Sequence, residues 1–307
     1  MTTRVLSVAS QTAAADRTVA PKRGFVSISR GSYSSSSSSS SGEDSEVIDI
    51  PEVLNSRETL EFCGFIPEVA AMIFESWERQ QIPGELGYGN DVIVEARYFV
   101  YKRAQNKGDA STREHNWRRA LTDMGITQRL SDAILNSRFD VIRQKGPASY
   151  WALDSINIAW EFLEGLDKRI RKKQAELREL NTPSPSVQPR PAKRSQSGLA
   201  DTFQEAPVLK LATMGAIPTA VEGRTMLYKG GAMTRLAGVF KEDGSLDLLR
   251  LHSSPPTDFH QTDNDLLYLT KHYDVAEKYA GFVRNRVDAE EGAVLHFAVP
   301  SDLLQDG

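Results

Sequence analysis

A proline-rich segment divides the chain into two parts that follow different folding patterns. Between residues 181 and 206, Pro183, Pro185, Pro189 and Pro191 alternate with Ser, Gln and Arg. Proline lacks a backbone N–H and disrupts both helix and sheet, so this composition favours an extended spacer. We therefore predict a disordered linker over 181–206, with one domain before it and another after it.

Residues 57–180 show the apolar spacing of helices. Val69, Ile73 and Trp77 recur every fourth residue after Pro67, which suits the first position of a helix. The longest stripe follows residues 146–147 and contains Trp151, Ala152, Ile156, Ala159, Leu163, Leu166, Ile170 and Leu177. We predict an all-α domain over 57–180.

Single residues mark the ends and the core of this helical domain. Gly125 is expected to end one helix and Thr127 to cap the next, because a threonine hydroxyl accepts a hydrogen bond from a free backbone N–H. The large rings of Trp117, Trp151 and Trp160 are expected to anchor the core.

Residues 1–56 are predicted to form a disordered tail. Residues 34–41 are all serine and are followed by acidic residues, a composition that cannot build a core. Residues 1–42 carry five basic residues and one acid among many Ser, Thr and Ala. That bias is typical of a mitochondrial transit peptide and also of a weakly basic tail, and both interpretations stay open.

Charge and cysteine content exclude several classes of protein. The net charge of −4 argues against binding of nucleic acid by the whole chain, and we expect no direct nucleic-acid contact. No apolar run approaches the length of a membrane span, so no membrane partner is expected. The single cysteine, Cys63, cannot form an intramolecular disulfide, and its apolar neighbours predict a buried structural thiol.

Two clusters of side chains invite a functional interpretation. Basic residues at 168–173 and at 190–194 match a two-part nuclear localisation signal, or else a solvated helix face. We expect a nuclear or cytoplasmic location, with the mitochondrion as the alternative. Residues 252–272 are rich in His and Asp, but their spacing fits no recognised metal loop, so no metal site is predicted.

After the linker, short strand-like segments alternate with one helix. Strands are predicted at 225–228, 246–251, 266–270 and 293–299, and a helix is predicted at 274–285; the segment 208–211 is also apolar. Short mixed elements favour a small α+β domain over 207–307. The fold class predicted for the whole chain is α+β.

The order of motifs in this region resembles the ADP-ribosyltransferase superfamily, in its His-Tyr-Glu branch. Tyr228, Lys229 and Gly230 match the end of the family's first strand, and Tyr268 and Thr270 match its Phe-Tyr-Leu-Thr strand. The resemblance implies an NAD site in which Tyr268 packs on the nicotinamide. Lys229 occupies the place of the family's His or Arg, which holds an NAD ribose.

The resemblance also implies a catalytic Glu after the strand at 293–299. Residues 301–307 contain no Glu, and Glu290 and Glu291 precede that strand as expected turn residues. A placed carboxylate would stabilise the charge that develops when the glycosidic bond of NAD breaks. We therefore expect an incomplete, truncated transferase-like domain with a degenerate and inactive site, and name no catalytic residue.

We predict an intracellular regulatory or interaction protein, with NAD as the one cofactor implied and an unidentified protein partner bound by the helical domain. The first alternative is an active NAD-dependent ADP-ribosyltransferase whose Glu-bearing strand is missing from this chain. The second alternative is a mitochondrial matrix protein of unknown role.

Overall fold

The computed structural model describes residues 22–29, 47–84, 87–107, 114–181, 220–241, 245–247, 251 and 267–304. Within these ranges, helices and two small antiparallel sheets form a mixed fold, which agrees with the α+β class. The predicted serine run, almost all of the linker and the segment 208–211 lie outside the described residues. None of the described helices combines the length and the apolar character needed to cross a membrane.

Seven helices precede the linker, within the described part of 57–181. They are α1 (Arg57–Phe62), α2 (Pro67–Gln80), α3 (Val92–Lys107), α4 (Glu114–Asp123), α5 (Gln128–Ile134), α6 (Asp140–Arg143) and α7 (Ala148–Asn181). The helical prediction for this region is confirmed, including Pro67 at the start of α2. The predicted caps hold as well, because the Thr127 hydroxyl accepts the backbone N–H of Leu130 at 3.4 Å and Gly125 has a φ of +74°.

The centre of this region is the apolar face of α7. Its stripe from Trp151 to Leu166 is buried, and Trp117 and Trp160 are buried with it. Cys63 is also in this core, and burial raises the pKa of its thiol to about 12. Such a thiol stays protonated near neutral pH, so Cys63 is a packing residue as predicted.

A β-hairpin before α1 corrects the prediction of a disordered tail over 1–56. Strand β1 (Phe25–Ser29) pairs antiparallel with β2 (Val47–Pro51), which places Val26 opposite Ile50 and Ile28 opposite Ile48. These four side chains share one face of the hairpin, and Ile50 is fully buried in the core of the helices. The apolar residues alternate over only a few positions in each strand. The serine-rich composition around them therefore indicated disorder more strongly than the alternation indicated strands.

The described residues from 220 onward include a two-stranded ribbon with helices packed on it. Strand β3 (Arg224–Ala232) pairs along its whole length with β4 (Gly292–Pro300), and the elements between them include α8 (Met233–Ala237) and α9 (Tyr273–Arg286). The predicted strands at 225–228 and 293–299 and the predicted helix at 274–285 are confirmed. Helix α9 crosses one face of the ribbon.

Two of the predicted strands do not form ladders in the described residues. Leu246 makes an isolated bridge with Phe240, and Thr270 makes one with Tyr228. Leu251 is fully buried without strand pairing. Leu251 and Leu267 pack in a second, smaller cluster around Leu236, whereas Leu246 is exposed. The apolar residues that suggested strands here are therefore partly core residues that form no ladder.

One hydrophobic core extends across the predicted boundary at residues 206 and 207. Phe282 of α9 packs against Phe139 and Trp151, with ring centroids 5.0 and 5.1 Å apart. Val283 and Val287 belong to the same cluster of buried residues as the α7 stripe. The domain limits stay a prediction, but a single cluster of buried residues includes side chains from both sides of the predicted limit at 206 and 207.

Close contact between α9 and the ribbon depends on glycine. A Cβ atom built on Gly230 would lie 1.7 Å from the carbonyl oxygen of Ala276, and one on Gly292 would lie 2.1 Å from that of Ala280. Both clashes are with helix backbone, which cannot turn away as a side chain can. The helix can therefore approach β3 and β4 only where a side chain is missing.

Gly230→Ala is expected to destabilise the protein by about 3 kcal/mol or more, because the backbone of α9 must move away from β3. A loss of this size lowers the melting temperature of the full chain by at least about 6 °C, as measured by circular dichroism. The matched control is Gly231→Ala, where the nearest side-chain atom lies 3.7 Å from the new Cβ. Equal melting temperatures for the two variants would contradict the close crossing.

Candidate functional site

The structure brings the two predicted NAD-binding segments together. The backbone N–H of Tyr228 donates to the carbonyl oxygen of Thr270 at 2.7 Å, and the N–H of Thr270 donates to the carbonyl oxygen of Tyr228 at 3.0 Å. The segment 267–270 therefore runs beside β3 on the side away from β4. The two segments that carry the five residues named from the sequence are therefore neighbours in space, although 38 or more positions separate Tyr268 from Tyr228, Lys229 and Gly230.

Residues of β3 alternate between two faces of the ribbon. Tyr228 lies opposite His296 and Gly230 opposite Val294, while Lys229 lies opposite Leu295. Since successive side chains of a strand point to opposite faces, Tyr228 and Gly230 share one face and Lys229 has the other. The candidate site is thus split across the ribbon.

The Tyr228 side chain is buried in a cluster of rings. It packs edge-on against Tyr273, at 5.5 Å between centroids, and against His296, at 5.0 Å. Nδ1 of His296 is buried and has no hydrogen-bond partner among the described residues. The ring of Tyr228 therefore contacts Tyr273 at the start of α9, and the backbone of Gly230 lies against Ala276 one turn later. Both residues hold α9 in place.

The Thr270 side chain forms the turn into α9. Its hydroxyl accepts the backbone N–H of His272 at 3.1 Å, and His272 is the residue before the helix begins. A hydroxyl that accepts an N–H two positions later stabilises a tight turn. Thr270 thereby connects the strand-like segment 267–270 to α9, the helix that covers the Tyr228 and Gly230 face of the ribbon.

Lys229 and Tyr268 meet directly. Nζ of Lys229 donates to the backbone carbonyl of Tyr268 at 3.5 Å, and both side chains are partly buried. Burial lowers the pKa of Lys229 to about 8, because an ammonium loses hydration in these surroundings. The contact joins the Lys229 ammonium to the backbone of Tyr268 and not to its ring, and the Tyr268 hydroxyl is buried.

Helices α8 and α9 are tied to α7 by charged side chains that the sequence analysis did not identify. Asp154 of α7 accepts hydrogen bonds from Nη1 of Arg235 and from Nη2 of Arg286, both at 2.7 Å. Arg235 also donates to the carboxylate of Glu161, about two turns further along the same face of α7, at 2.7 and 3.2 Å. One carboxylate therefore connects α7 with α8 and α9.

Arg286 is only 2% exposed, and its guanidinium contacts several partners in the core. Its guanidinium donates to Ser155 Oγ at 2.8 Å and to the carbonyl oxygen of Trp151 at 3.2 Å. The group also lies 4.3 Å from the ring of Phe282 and 5.0 Å from that of Trp151, which adds cation–π attraction. A buried charge with this set of partners is stabilising only as a complete network.

The electrostatics of Asp154 reflect this arrangement. Burial by itself would raise the pKa of Asp154, but the charges and hydrogen bonds of Arg235 and Arg286 outweigh burial and hold that pKa below its usual value. The sequence carried a weak signal, because Asp154 stands within the apolar stripe of α7. Its partners, 81 and 132 positions away, could not be read from spacing.

Glu290 lies in the turn before β4, as predicted, and its side chain has a structural role there. Its carboxylate accepts the backbone N–H of Thr234 at 2.9 Å and the Thr234 hydroxyl at 2.6 Å, at the start of α8. Burial raises the pKa of Glu290. The residue caps α8 from the segment before β4, so this carboxylate is already occupied by protein donors.

A cavity of about 260 Å³ lies where the hairpin, α1, α5, α7 and the segment after α9 meet. Arg286, Ser155, Asp49 and Asp288 line it together with apolar side chains. Asp288 binds Arg129 at 2.6 Å, and Arg286 is bound to Asp154. None of its lining residues belongs to β3 or to the segment 267–270, so the cavity is separate from the candidate NAD site.

The remaining predicted clusters are only partly described. In the described residues, no three His, Cys, Asp or Glu side chains form a group suited to a metal ion, and most of the segment 252–272 lies outside them. The basic residues at 168–172 are on the outer surface near the end of α7, where Arg171 binds Asp167 and Lys168 binds Glu164. The second basic cluster, 190–194, lies outside the described residues.

Comparison with known proteins finds no family model, no curated protein and no solved structure that matches this chain. The resemblance to ADP-ribosyltransferases therefore rests on the motif residues quoted from the sequence alone.

Asp154→Asn is expected to destabilise the protein by about 3–5 kcal/mol, because it leaves Arg235 and Arg286 without their shared counter-charge. Chemical unfolding of the full chain measures this loss. Asp132→Asn is the control, since Asp132 pairs with Arg118 on the exposed surface and its loss should change the midpoint little.

The pH dependence gives this prediction a second readout. The folded protein lowers the pKa of Asp154, so the stability it contributes is present above the unfolded pKa near 3.9 and is lost as pH falls through the lower, folded value. The gap between wild type and Asp154→Asn should therefore narrow below about pH 4. A gap that stays constant from pH 7 to pH 3 would contradict the assignment.

Proposed function

We propose that this chain is a regulatory or interaction protein whose C-terminal region binds NAD beside Lys229 and Tyr268 without efficient turnover. The observation that carries the proposal is the pair of backbone hydrogen bonds between Tyr228 and Thr270. Two short motifs, distant in sequence, resemble the NAD-binding segments of one enzyme superfamily, and they are neighbours in the fold.

The chemistry of the pair suits a nucleotide. The Lys229 ammonium is a point cation with three N–H donors, which can bind a ribose hydroxyl or a phosphate oxygen. The ring of Tyr268 offers a flat apolar surface of the kind on which a nicotinamide packs. The contact between Lys229 Nζ and the Tyr268 carbonyl holds both residues at one point of the ribbon.

Inefficient turnover is inferred from the residues around the site. Lysine cannot reproduce the bidentate fork of arginine or the ring of histidine, so the ribose would be oriented less strictly. The buried carboxylate of this region, Glu290, is bonded to Thr234 and caps α8. It is therefore not available to stabilise an oxocarbenium-like centre.

The interaction part of the proposal is supported by the outer face of α3. Val94, Tyr98 and Tyr101 are 44–55% exposed, with the i, i+4, i+7 spacing by which a helix meets another protein. Arg97 and Lys102 stand beside them, and Lys102 Nζ lies 4.7 Å from the Tyr98 ring centroid. Apolar residues flanked by cations favour an acidic amphipathic segment as the partner.

NAD is expected to bind the full chain saturably in isothermal titration calorimetry at pH 7, where Lys229 is mostly protonated. Tyr268→Ala and Lys229→Ala should each weaken binding at least about tenfold, while Lys271→Ala, an exposed neighbour, should leave it unchanged. Melting temperatures of the variants separate loss of the site from loss of the fold.

The result against the proposal is a folded wild-type chain that shows no heat of binding at millimolar NAD. Release of free nicotinamide is followed in the same samples. Release at a rate typical of enzymes, on the order of 1 s⁻¹ or faster, would instead overturn the inference of inefficient turnover and favour the active transferase.

A further inference from the structure

Strand β4 uses only one of its two edges in the ribbon. The backbone of Tyr228 is hydrogen-bonded to Thr270, on the side of β3 away from β4, and Tyr228 lies opposite His296. Hydrogen-bonded and non-hydrogen-bonded pairs alternate along an antiparallel ladder. The backbone groups of Leu295 therefore bond β3, whereas those of Val294 and His296 point away from the ribbon.

The outward edge of β4 presents unpaired backbone groups. Within the described ranges, neither Val294 nor His296 makes a backbone hydrogen bond in that direction. Further along, the carbonyl oxygen of Ala298 accepts a hydrogen bond from Nη1 of Arg224 at 2.8 Å, which marks the end of the open stretch. A row of unpaired N–H and C=O groups is a template on which another strand can add.

The strand also lacks the features by which proteins block such an edge. Its sequence, GAVLHFAVP over Gly292–Pro300, contains no Asp, Glu, Lys or Arg, and its one proline is the last residue. It pairs with β3 at every position, without a bulge. A long, regular and uncharged edge of this kind calls for a strand that covers it.

We propose that the outward edge of β4 pairs antiparallel with the same edge of a second copy of this chain, with Leu295 of one copy opposite Leu295 of the other. In this register, Val294 of each copy lies opposite His296 of the other. Both N–H groups of each such pair donate to the facing carbonyl oxygens, so the unpaired groups are satisfied. A two-fold axis perpendicular to the sheet relates the copies, and the two ribbons form one continuous sheet.

The side chains favour this register. It places Phe297 opposite Ala293 of the second copy, so that a large side chain meets a small one on each side of the Leu295 contact. These three residues pack against the smaller cluster around Leu236, and the dimer extends that cluster across the two-fold axis. Because β4 carries no acidic side chain, Lys or Arg, self-pairing brings no such like charges opposite each other.

The adjacent registers are less suitable. A shift of two residues in one direction places Phe297 opposite Glu291 of the second copy, which sets an apolar ring against a carboxylate. A shift of two residues in the other direction requires the Ala298 carbonyl, which already accepts a hydrogen bond from Arg224. The register centred on Leu295 avoids both conflicts.

The α9 face of the ribbon is compatible with a second copy. The Tyr273 ring lies 5.6 Å from the His296 ring between centroids and is still 45% exposed, so apolar surface adjoins the open edge. On the same face, Gly292 of one copy lies opposite Ala298 of the other. These small residues leave room for the two α9 helices, which lie on the same side of the combined sheet.

Residue-resolved hydrogen exchange of the full chain tests the proposal, with sedimentation equilibrium of the same samples at about 1 µM and about 100 µM. The amides of Leu295 and Phe297, which bond β3, should be protected in monomer and dimer alike. Those of Val294 and His296 should exchange at least about tenfold more slowly in the dimer than in the monomer. The readout needs no NAD, so it is independent of the proposed function.

A proline substitution removes one outward donor and leaves the ladder to β3 intact. Val294→Pro should weaken dimerisation at least about tenfold, since proline is tolerated where the N–H of an edge strand faces away from the sheet. Val294→Ala keeps the N–H and should still dimerise. Melting temperatures of both variants show whether the fold is retained.

Cross-linking tests the register. Facing residues of a non-hydrogen-bonded pair have Cα atoms about 4.5 Å apart, within the range of a disulfide, so Leu295→Cys should form a covalent dimer under mild oxidation. Phe297→Cys is the control, because the two copies of that residue would be about 13 Å apart along the strands. Equal yields of covalent dimer from both variants would overturn the register.

Three results would overturn the second copy as the occupant of this edge. The first is a chain that stays monomeric at 100 µM with rapid exchange at Val294 and His296. The second is a monomer in which these two amides are protected, because another segment of the same chain then covers the edge. The third is a dimer in which they exchange as rapidly as in the monomer, because the copies then meet elsewhere.

Discussion

Asp154 is the residue on which the arrangement of this protein depends. It stands on the central helix α7 and receives one guanidinium from α8 and another from the end of α9. Both arginines come from the region after the linker, and Arg286 is almost completely buried. The carboxylate balances charges that would otherwise make burial of this interface unfavourable, and the aromatic contacts of Phe282 complete it.

This tie positions the candidate site through α9. The helix is held at its C-terminal end by Arg286 and by Asn285, which donates to the carbonyl oxygen of Ala133 at 2.7 Å. From there it crosses the ribbon at Gly230 and Gly292, where side chains are absent. The position of α9 sets that of β3. Lys229 lies on the face of β3 away from α9, and its Nζ reaches the backbone carbonyl of Tyr268. The Asp154–Arg286 contact on α7 thus helps to fix the position of the proposed nucleotide site, through the packing of α9 on β3.

Local patterns in the sequence predicted much of this fold. Pro67, Gly125 and Thr127 mark helix ends because of their backbone and capping preferences. The apolar stripe from Trp151 to Leu166 predicted the buried face of α7 through its helical period. The hairpin at 25–29 and 47–51 was missed because two short alternating segments flank a long polar tract. The motif at Tyr228 and Tyr268 predicted neighbours in space, but not that Tyr228 would be covered by His296 and Tyr273. The Asp154 network joins residues more than 80 positions apart, and no local rule selects such partners.

The central claim is that the ribbon and the helices before the linker form one cooperative unit. All four tryptophans lie in the helical region, between residues 77 and 160, but Trp151 also contacts Phe282 of α9. In a Trp151→Phe background, the fluorescence of Trp77, Trp117 and Trp160 reports on the helical region. Hydrogen exchange of peptides from β3 and β4 reports on the ribbon. In a urea titration of the full chain, the account predicts that both signals change with the same midpoint. Loss of protection in β3 and β4 at a lower urea concentration, with the fluorescence unchanged, would contradict it.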